Sequence, residues 1–224
     1  MKSEVLRVDI GLLTAAHELK SPLSLLRQLA LSLDLAQDPS ELTSQMVKIS
    51  DRALSQIDDL LSVARLESAL FDLEPVNPRV ICDSIISAGL NSDITGVTRP
   101  IYRNRHRLAI ASSPLLRSII SNLLDNARKY GDTASLSISD YRGRLRISVR
   151  DHGPALPVDI YRAINQNSIS SPLPTPLRPG SSGLGLFIST RFAAHMHAPL
   201  TATRHRDGTS FHLDLQLSRQ LSLC

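Results

Sequence analysis

Four groups of residues in this 224-residue chain set chemistry-bearing side chains at short spacing. The first is His17-Glu18-Leu19-Lys20-Ser21-Pro22-Leu23. It joins an imidazole to a carboxylate, with a hydroxyl one helical turn later and a proline that removes a backbone donor and bends a helix. The second is Asn122-Leu123-Leu124-Asp125-Asn126-Ala127-Arg128-Lys129-Tyr130. Asn122, Asn126 and Lys129 share one flank of a helix, although asparagine is a poor helix former. Such an oxygen-and-cation surface suits a metal-bound phosphate, because Mg²⁺ takes hard oxygen ligands and keeps several waters. The third is Asp151-His152-Gly153-Pro154-Ala155-Leu156-Pro157. A carboxylate ending a strand can accept a hydrogen bond from an adenine amino group, and Gly153 lets backbone approach a base closely. The fourth, Gly180-Ser181-Ser182-Gly183-Leu184-Gly185-Leu186, opens a helix, where backbone N–H groups and the positive dipole end meet phosphate. Each group alone also reads more plainly, as a solvent-facing histidine, a solvated helix flank, a turn, and a glycine loop that specifies no ligand.

The elements that must position these groups follow from apolar periodicity. Leu6, Ile10 and Leu13 line one face, and the stripe re-phases to Ala16, Leu19, Leu23, Leu26, Ala30 and Leu33. That predicts a helix from about Lys2 to Leu35 with His17, Glu18 and Ser21 on its polar side. Asp38-Pro39-Ser40-Glu41 reads as a helix start, with Asp38 as N-cap and Glu41 closing a capping box. A second stripe follows at Leu42, Met46, Ile49, Ala53, Ile57, Leu60 and Ala64. Two long helices joined by a short turn make an antiparallel hairpin. A narrow stripe on each helix does not close a core alone, so the expectation is a homodimeric four-helix bundle; the alternative is a hairpin packed on its own C-terminal domain.

Pro75, Asn77 and Pro78 mark a break. Asn77-Pro78 caps a helix to about Leu90, with Val80, Ile81, Ile85 and Ile86 as its buried face. Short strands are expected at 99–103 and 107–111. Ser113-Pro114 then opens a helix that Gly131 closes, with Leu116, Ile120, Leu123, Leu124 and Ala127 inward. Alternating runs 134–139 and 144–150 around an Asp140-Tyr141-Arg142-Gly143 turn predict a hairpin. After a short helix to about Ile164, residues 165–182 hold four prolines and no periodicity, the mark of a lid or a disordered segment. A helix runs on to about His197, where His195 and His197 suit a helix C-terminus better than a metal site. Strands near 200–204 and 210–217 flank an Asp207-Gly208 turn. This order gives a mixed sheet with helices on one face.

A hydrophobic content of 42% supports a packed core. No run reaches the roughly eighteen apolar residues that span a bilayer, and no signal-peptide core is present. A cytoplasmic protein without membrane contact by this chain itself is expected. Cys82 and Cys224 lie far apart, which argues against a disulfide framework. Residues 1–74 hold 7 basic and 12 acidic side chains, hence −5, and residues 75–224 hold 18 and 9, hence +9. The halves therefore suit different partners. A basic half attracts polyphosphate, but its arginines are scattered and aromatics are only 4% of the chain, so no nucleic acid partner is expected.

In order and spacing the four groups resemble the sequence boxes of bacterial two-component sensor histidine kinases. The first is similar to the phosphoacceptor box, usually His-Glu-Leu-Arg-Thr-Pro-Leu, and departs at Lys20 and Ser21. The second is similar to the N-box. The third is similar to the G1 box, with Ala155 in place of the second glycine. The fourth is similar to the G2 box, with Ser181 in its first glycine position and Gly180 one residue upstream. The resemblance implies an α+β chain. Residues 1–74 would be a dimerisation and histidine phosphotransfer hairpin, forming a four-helix bundle on dimerisation. Residues 75–217 would be an α/β sandwich ATP-binding domain of the Bergerat type shared with gyrase and Hsp90-like proteins, and 218–224 a tail. It implies ATP and Mg²⁺, with Asn126 on the metal. Asn122, Lys129, Tyr130, Asp151, Gly153, Gly180, Gly183, Leu184 and Gly185 would surround the nucleotide under a lid at 165–182.

By the same resemblance His17 attacks the γ-phosphorus, Glu18 takes the proton from the other imidazole nitrogen, and the phosphoryl group passes to an aspartate of a response regulator receiver domain. Ser24 and Arg27 are regulator-contact candidates. With a sensor region ahead of residue 1, the chain would be the cytoplasmic portion of a membrane-bound sensor. Two other readings remain: a phosphotransfer or scaffold protein with a degenerate ATP site, on the strength of Ala155 and Ser181, and a Bergerat-type ATPase acting on DNA or client proteins, which leaves His17 unexplained. Ser21 stands where the family usually has Thr or Asn orienting water for the phosphatase reaction, and its hydroxyl still donates and accepts. Ser21→Thr is therefore expected to speed dephosphorylation of the cognate regulator by the purified protein; an unchanged rate in that assay would refute this account of the departure.

Overall fold

The computed structural model describes residues 20, 22–32, 39–66, 71–90, 100–103, 107–131, 133–169 and 184–221. The chain divides into two compact units, Met1–Ser68 and Ala69–Cys224.

The first unit contributes helix α1 (22–32) and the 28-residue helix α2 (Pro39–Leu66). Pro39 opens α2, where its missing N–H costs nothing. In the next turn the Thr43 hydroxyl donates to the Pro39 carbonyl at 2.8 Å. Leu42, Met46 and Ile49 are half-buried and Ala53 is buried, so that part of the expected stripe faces inward. Leu23, Leu25 and Leu31 of α1 and Val47, Leu54 and Ile57 of α2 are exposed. The expected cap Asp38 and the connection at 33–38 lie outside the described residues.

The second unit is built on a seven-stranded mixed sheet: β1 (Glu74–Val76), β2 (Ile101–Arg103), β3 (Arg107–Ala111), β4 (Ala134–Tyr141), β5 (Arg144–Asp151), β6 (Leu200–His205) and β7 (Gly208–Leu221). The order is β1-β3-β7-β5-β4-β2, with β6 also paired to β7. Among the described residues only the β2–β4 pairing is parallel. Its helices are α3 (Pro78–Leu90), α4 (Ser113–Tyr130), α5 (Val158–Asn165) and α6 (Leu184–His195). Strand residues alternate faces, and the register Leu136↔Val149↔Phe211 and Ile138↔Ile147↔Leu213 puts one buried apolar row after another on the same side. Helix α4 packs on β4, β5, α3 and α6. It buries the expected Leu116, Ile120, Leu123, Leu124 and Ala127, together with Leu115 and Ile119.

Three expectations change. Val80 is exposed and Cys82 is fully buried in its stead. The reason is a polar anchor: the Tyr102 hydroxyl donates to Asp83 and the Arg79 guanidinium lies 4.7 Å from the Tyr102 ring centre. The i, i+4 pair Arg79/Asp83 thereby turns toward β2 and Val80 turns outward. Burial, with Asp83 nearby, pushes the Cys82 thiol up to about 12, which makes it inert. Strand β4 continues to Tyr141, so the β4–β5 turn is Arg142-Gly143 alone, with φ of 49° and 75°. This is the two-residue turn whose twist matches the flanking strands, and Arg142 packs 5.2 Å from the Tyr141 ring centre. Helix α6 ends at His195, and His197 turns left-handed at φ 51°. The His195 imidazole Nε2 lies 3.3 Å from the Phe71 carbonyl, and the His197 carbonyl accepts from Arg144 at 3.2 Å.

The other sheet face is polar and largely bonded within itself. Arg146 makes two 2.6 Å hydrogen bonds to Asp214, and its guanidinium stacks 3.3 Å from the Tyr141 ring centre. His212 spans three strands, with Nδ1 2.8 Å from Ser148 Oγ and Nε2 3.0 Å from Thr203 Oγ1. At the β6 edge the Asn165 amide bonds both the N–H and the C=O of Ala202, each at 3.1 Å, occupying backbone groups that would otherwise invite another strand. Among the described residues no helix is long and apolar enough to cross a membrane.

Burial first, and then the Arg146 charge, push His212 down from 6.5 to about 4, while Asp214 opposes the shift and His205 adds to it. Between those two values the unfolded chain binds a proton that the folded one does not, so stability rises with pH across the window and falls on acidification. Acidification from pH 6.5 to 4 is expected to cost on the order of 1–2 kcal/mol through this group, after discounting for its partial exposure. Urea titrations of wild type and His212→Gln at several pH values measure it: the variant should lose that part of the slope, and parallel profiles would refute the assignment.

Candidate functional site

Asp151, the last residue of β5, is a buried carboxylate, and two other elements, the start of β7 and the end of α4, enclose it. At the start of β7 the Thr209 N–H donates to Asp151 Oδ1 at 3.0 Å. Immediately before it, Gly208 presses on the same residue: a Cβ there would lie 2.1 Å from the Asp151 carbonyl oxygen and 2.8 Å from Oδ1, at a φ of +142°. From the end of α4, Gly131 closes in on the following peptide, where a Cβ would lie 2.8 Å from His152 N and 3.2 Å from Asp151 Cβ. Gly131 ends α4 as expected, donating to the Ala127 carbonyl at 2.9 Å. It does so in extended conformation, φ −131° and ψ 155°, so close approach rather than a left-handed cap requires glycine here.

The loop after Asp151 hangs from the same partners. His152 N–H donates to the Thr133 carbonyl at 3.3 Å, and Leu156 N–H donates to Thr209 Oγ1 at 3.0 Å. Gly153 and Ala155 are half-buried in this loop, and both keep φ outside the left-handed region. Ala155 therefore carries its methyl without backbone strain.

A second cluster lies where α4 faces the first turn of α6. Asn122 is half-buried, and a Cβ at Gly185 would stand 3.6 Å from its Cγ and Oδ1. Its Nδ2 is buried and has no hydrogen-bond partner among the described residues. A buried donor without a partner costs about 1–3 kcal/mol, which an acceptor arriving there would recover. Asn126, one turn further along α4, is likewise half-buried. The amide oxygens of Asn122 and Asn126 are the hard donors that Mg²⁺ takes, and the unpaired N–H groups at a helix start favour anions. These donor types suit a metal-bound polyphosphate.

Of the expected site residues, Asp151 and Gly153 share one loop and Asn122 meets Gly185 across the α4–α6 contact. Lys129 and Tyr130 stand in the last turn of α4 and Leu184 opens α6; their side chains lie outside the described residues. So do His17, Glu18, Ser21, Gly180 and Gly183, with most of the expected lid. Sequence reasoning missed Thr209, Gly208 and Gly131 as partners of Asp151. The only signal was a polar residue straight after Asp207-Gly208, which reads as an ordinary hairpin turn.

Residues 111–219 match the family described as histidine kinase-, DNA gyrase B- and HSP90-like ATPases. The chain is 31% identical over 191 residues to the sensor protein QseC of Escherichia coli, covering 80% of this chain and 41% of that protein. It is 26% identical over 221 residues to the sensor protein GacS of Pseudomonas syringae, covering 91% and 24%. It thus spans about a quarter to two fifths of the length of these relatives. In fold it resembles the Acinetobacter baumannii histidine kinase AdeS, with a TM-score of 0.68 at 13% identity over 91% of this chain and 98% of that one. It also resembles the histidine kinase ThkA solved with the response regulator protein TrrA, with a TM-score of 0.62 at 17% identity over 97% and 64%. Residues 111–219 are accordingly similar to this ATPase family, which supports an ATP site, and the chain is similar to sensor histidine kinases over most of its length.

Gly208→Ala is expected to cost about 3 kcal/mol or more, because the new Cβ meets backbone at a φ closed to L side chains. Gly143→Ala, where nothing stands within 4 Å at a φ of +75°, should cost only about 1 kcal/mol. Chemical denaturation of both variants checks the contrast; equal losses would show that the Asp151 contact does not constrain Gly208.

Proposed function

We propose that this chain is the catalytic core of a sensor histidine kinase, which phosphorylates itself on His17 with ATP and Mg²⁺ and passes the phosphoryl group to an aspartate of a response regulator. The observation that carries the reading is the Asp151 cradle. A buried carboxylate, fixed by Thr209 and two glycines at the end of a central strand, stands in an ATPase-family domain downstream of His17-Glu18-Leu19-Lys20-Ser21-Pro22-Leu23.

In this reading Asp151 accepts a hydrogen bond from the adenine amino group while Gly153 lets backbone lie against the base. The Asn122 Nδ2 that has no partner among the described residues donates to a phosphate oxygen, and Asn126 holds Mg²⁺ through its side-chain oxygen. Lys129 and Tyr130 face phosphate and sugar, and Gly180, Gly183, Leu184 and Gly185 offer backbone N–H groups at the start of α6. Mg²⁺ supplies neutralisation of charge on the transferring phosphoryl group, and positioning supplies most of the rest. One imidazole nitrogen of His17 bonds to the γ-phosphorus as ADP leaves, and the proton on the other passes to Glu18, which makes the attacking nitrogen the better nucleophile. The exposed Leu23, Leu25, Leu31, Val47, Leu54 and Ile57 support pairing of two copies through a helical bundle. The solved ThkA–TrrA complex supports a response regulator as partner. The chain would act in the cytoplasm, as the inner portion of a membrane-bound sensor. A phosphotransfer scaffold with a degenerate ATP site is less well supported, since Ala155 sits in unstrained backbone.

Incubating the chain with γ-labelled ATP and Mg²⁺, beside His17→Gln and Asn126→Ala, tests this. Label of acid-labile, base-stable phosphohistidine character is expected in the wild type alone. A folded wild type that takes up no label would move the assignment to the phosphotransfer scaffold.

A further inference from the structure

On the outer side of the Asp151 cradle, two charged side chains and an imidazole meet that the nucleotide reading leaves without a role. Arg150 Nη2 donates to both carboxylate oxygens of Asp207, at 2.9 and 3.1 Å. His152 Nδ1 lies 3.3 Å from Asp207 Oδ2. Arg150 and His152 flank Asp151 in the chain, so their side chains leave the strand end on the face opposite to its carboxylate. Asp207 belongs to the turn that carries Gly208 and Thr209. The β6–β7 turn is therefore gripped on both sides of β5, by Thr209 on Asp151 within and by Asp207 on Arg150 and His152 without.

The grip is electrostatic. Among the described residues Arg150 Nε is buried with no acceptor, and its Nη2 pairs with the Asp207 carboxylate. The Asp207 carboxyl is held below its ordinary range, chiefly by the His152 hydrogen bond, then by backbone of its own turn and by Arg150. Because Asp207 is itself exposed, the pairing adds little to global stability. Its effect falls on the position of the turn.

We propose that Asp207, acting through Arg150 and His152, is a positioning residue for nucleotide binding: it locks the β6–β7 turn against β5, so that Gly208 and Thr209 hold Asp151 and the loop at 152–157 in the geometry that accepts the base. This rests on the nucleotide reading of the Asp151 site.

Calorimetric titration of the full chain with a non-hydrolysable ATP analogue and Mg²⁺ tests it. Asp207→Asn should bind about tenfold more weakly, the scale of one lost charge-assisted hydrogen bond, with a thermal midpoint within a few degrees of wild type. Asp207→Glu should recover part of the affinity. His152→Gln should lose less, and the double variant Asp207→Asn/His152→Gln should bind no worse than Asp207→Asn alone, because the two act as one unit. In autophosphorylation the KM for ATP should rise while kcat at saturation holds, which a merely structural defect would not produce. Arg206→Gln, in the same turn, should match wild type. Affinity of Asp207→Asn within twofold of wild type, or fully additive losses in the double variant, would overturn the proposal. A wild-type chain that binds no analogue would overturn the nucleotide reading itself.

Discussion

The second unit depends on one unfavourable object, a carboxylate buried at the end of a central strand. Asp151 is 5% exposed, and a carboxyl group taken out of water must be met by hydrogen-bond partners or it destabilises the fold. The Thr209 N–H meets it at 3.0 Å. That solution imposes geometry on its surroundings. To bring Thr209 N that close, the preceding residue must pass within contact of the Asp151 backbone, and only glycine can. To leave the neighbouring peptide room, α4 must also end on a glycine. One polar requirement thereby couples the end of β5, the start of β7 and the end of α4.

Helix α4 serves two demands on different sides. Its buried side contributes large apolar residues to the core beneath β4 and β5, which fixes its rotation about its own axis. With that rotation fixed, Asn122 and Asn126 have no freedom to turn away, and Asn122 faces the first turn of α6 with a donor that no described residue satisfies. Apolar packing therefore sustains an otherwise costly polar orientation. Poor helix formers at those two positions fit this division of labour.

Much of this was legible in the chain because periodicity and motif spacing report on a local scale. The stripe of α4, the alternation of β4 and β5 and the Asn77 cap, whose Oδ1 accepts from Arg79 N at 3.1 Å, are all local. What was not legible was set by contacts distant in sequence. Val80 belongs to an apolar run, yet it faces outward because Arg79 and Asp83 are drawn to Tyr102, about twenty residues away. Thr209 belongs to the site only because β7 lies beside β5, a pairing of residues 58 apart. Gly131 announces a helix end but not its approach to His152. Motif reading found the carboxylate and missed what holds it.

The polar face of the sheet shows how such a site can be kept in register. A one-residue slip between β5 and β7 would exchange the inward and outward sets of side chains. The apolar face resists that by burial, and the polar face resists it by pairing: Arg146 meets Asp214 and Ser148 meets His212, each opposite in the ladder. Arg150 sits one pair further along, opposite Ser210, and reaches Asp207 in the turn beyond. The same row of outward pairs thus runs from the Tyr141 end of the hairpin to the edge of the Asp151 cradle. Register between β5 and β7 also decides whether Thr209 N–H reaches Asp151 at all, so the outward row helps define the inward site without touching anything bound there.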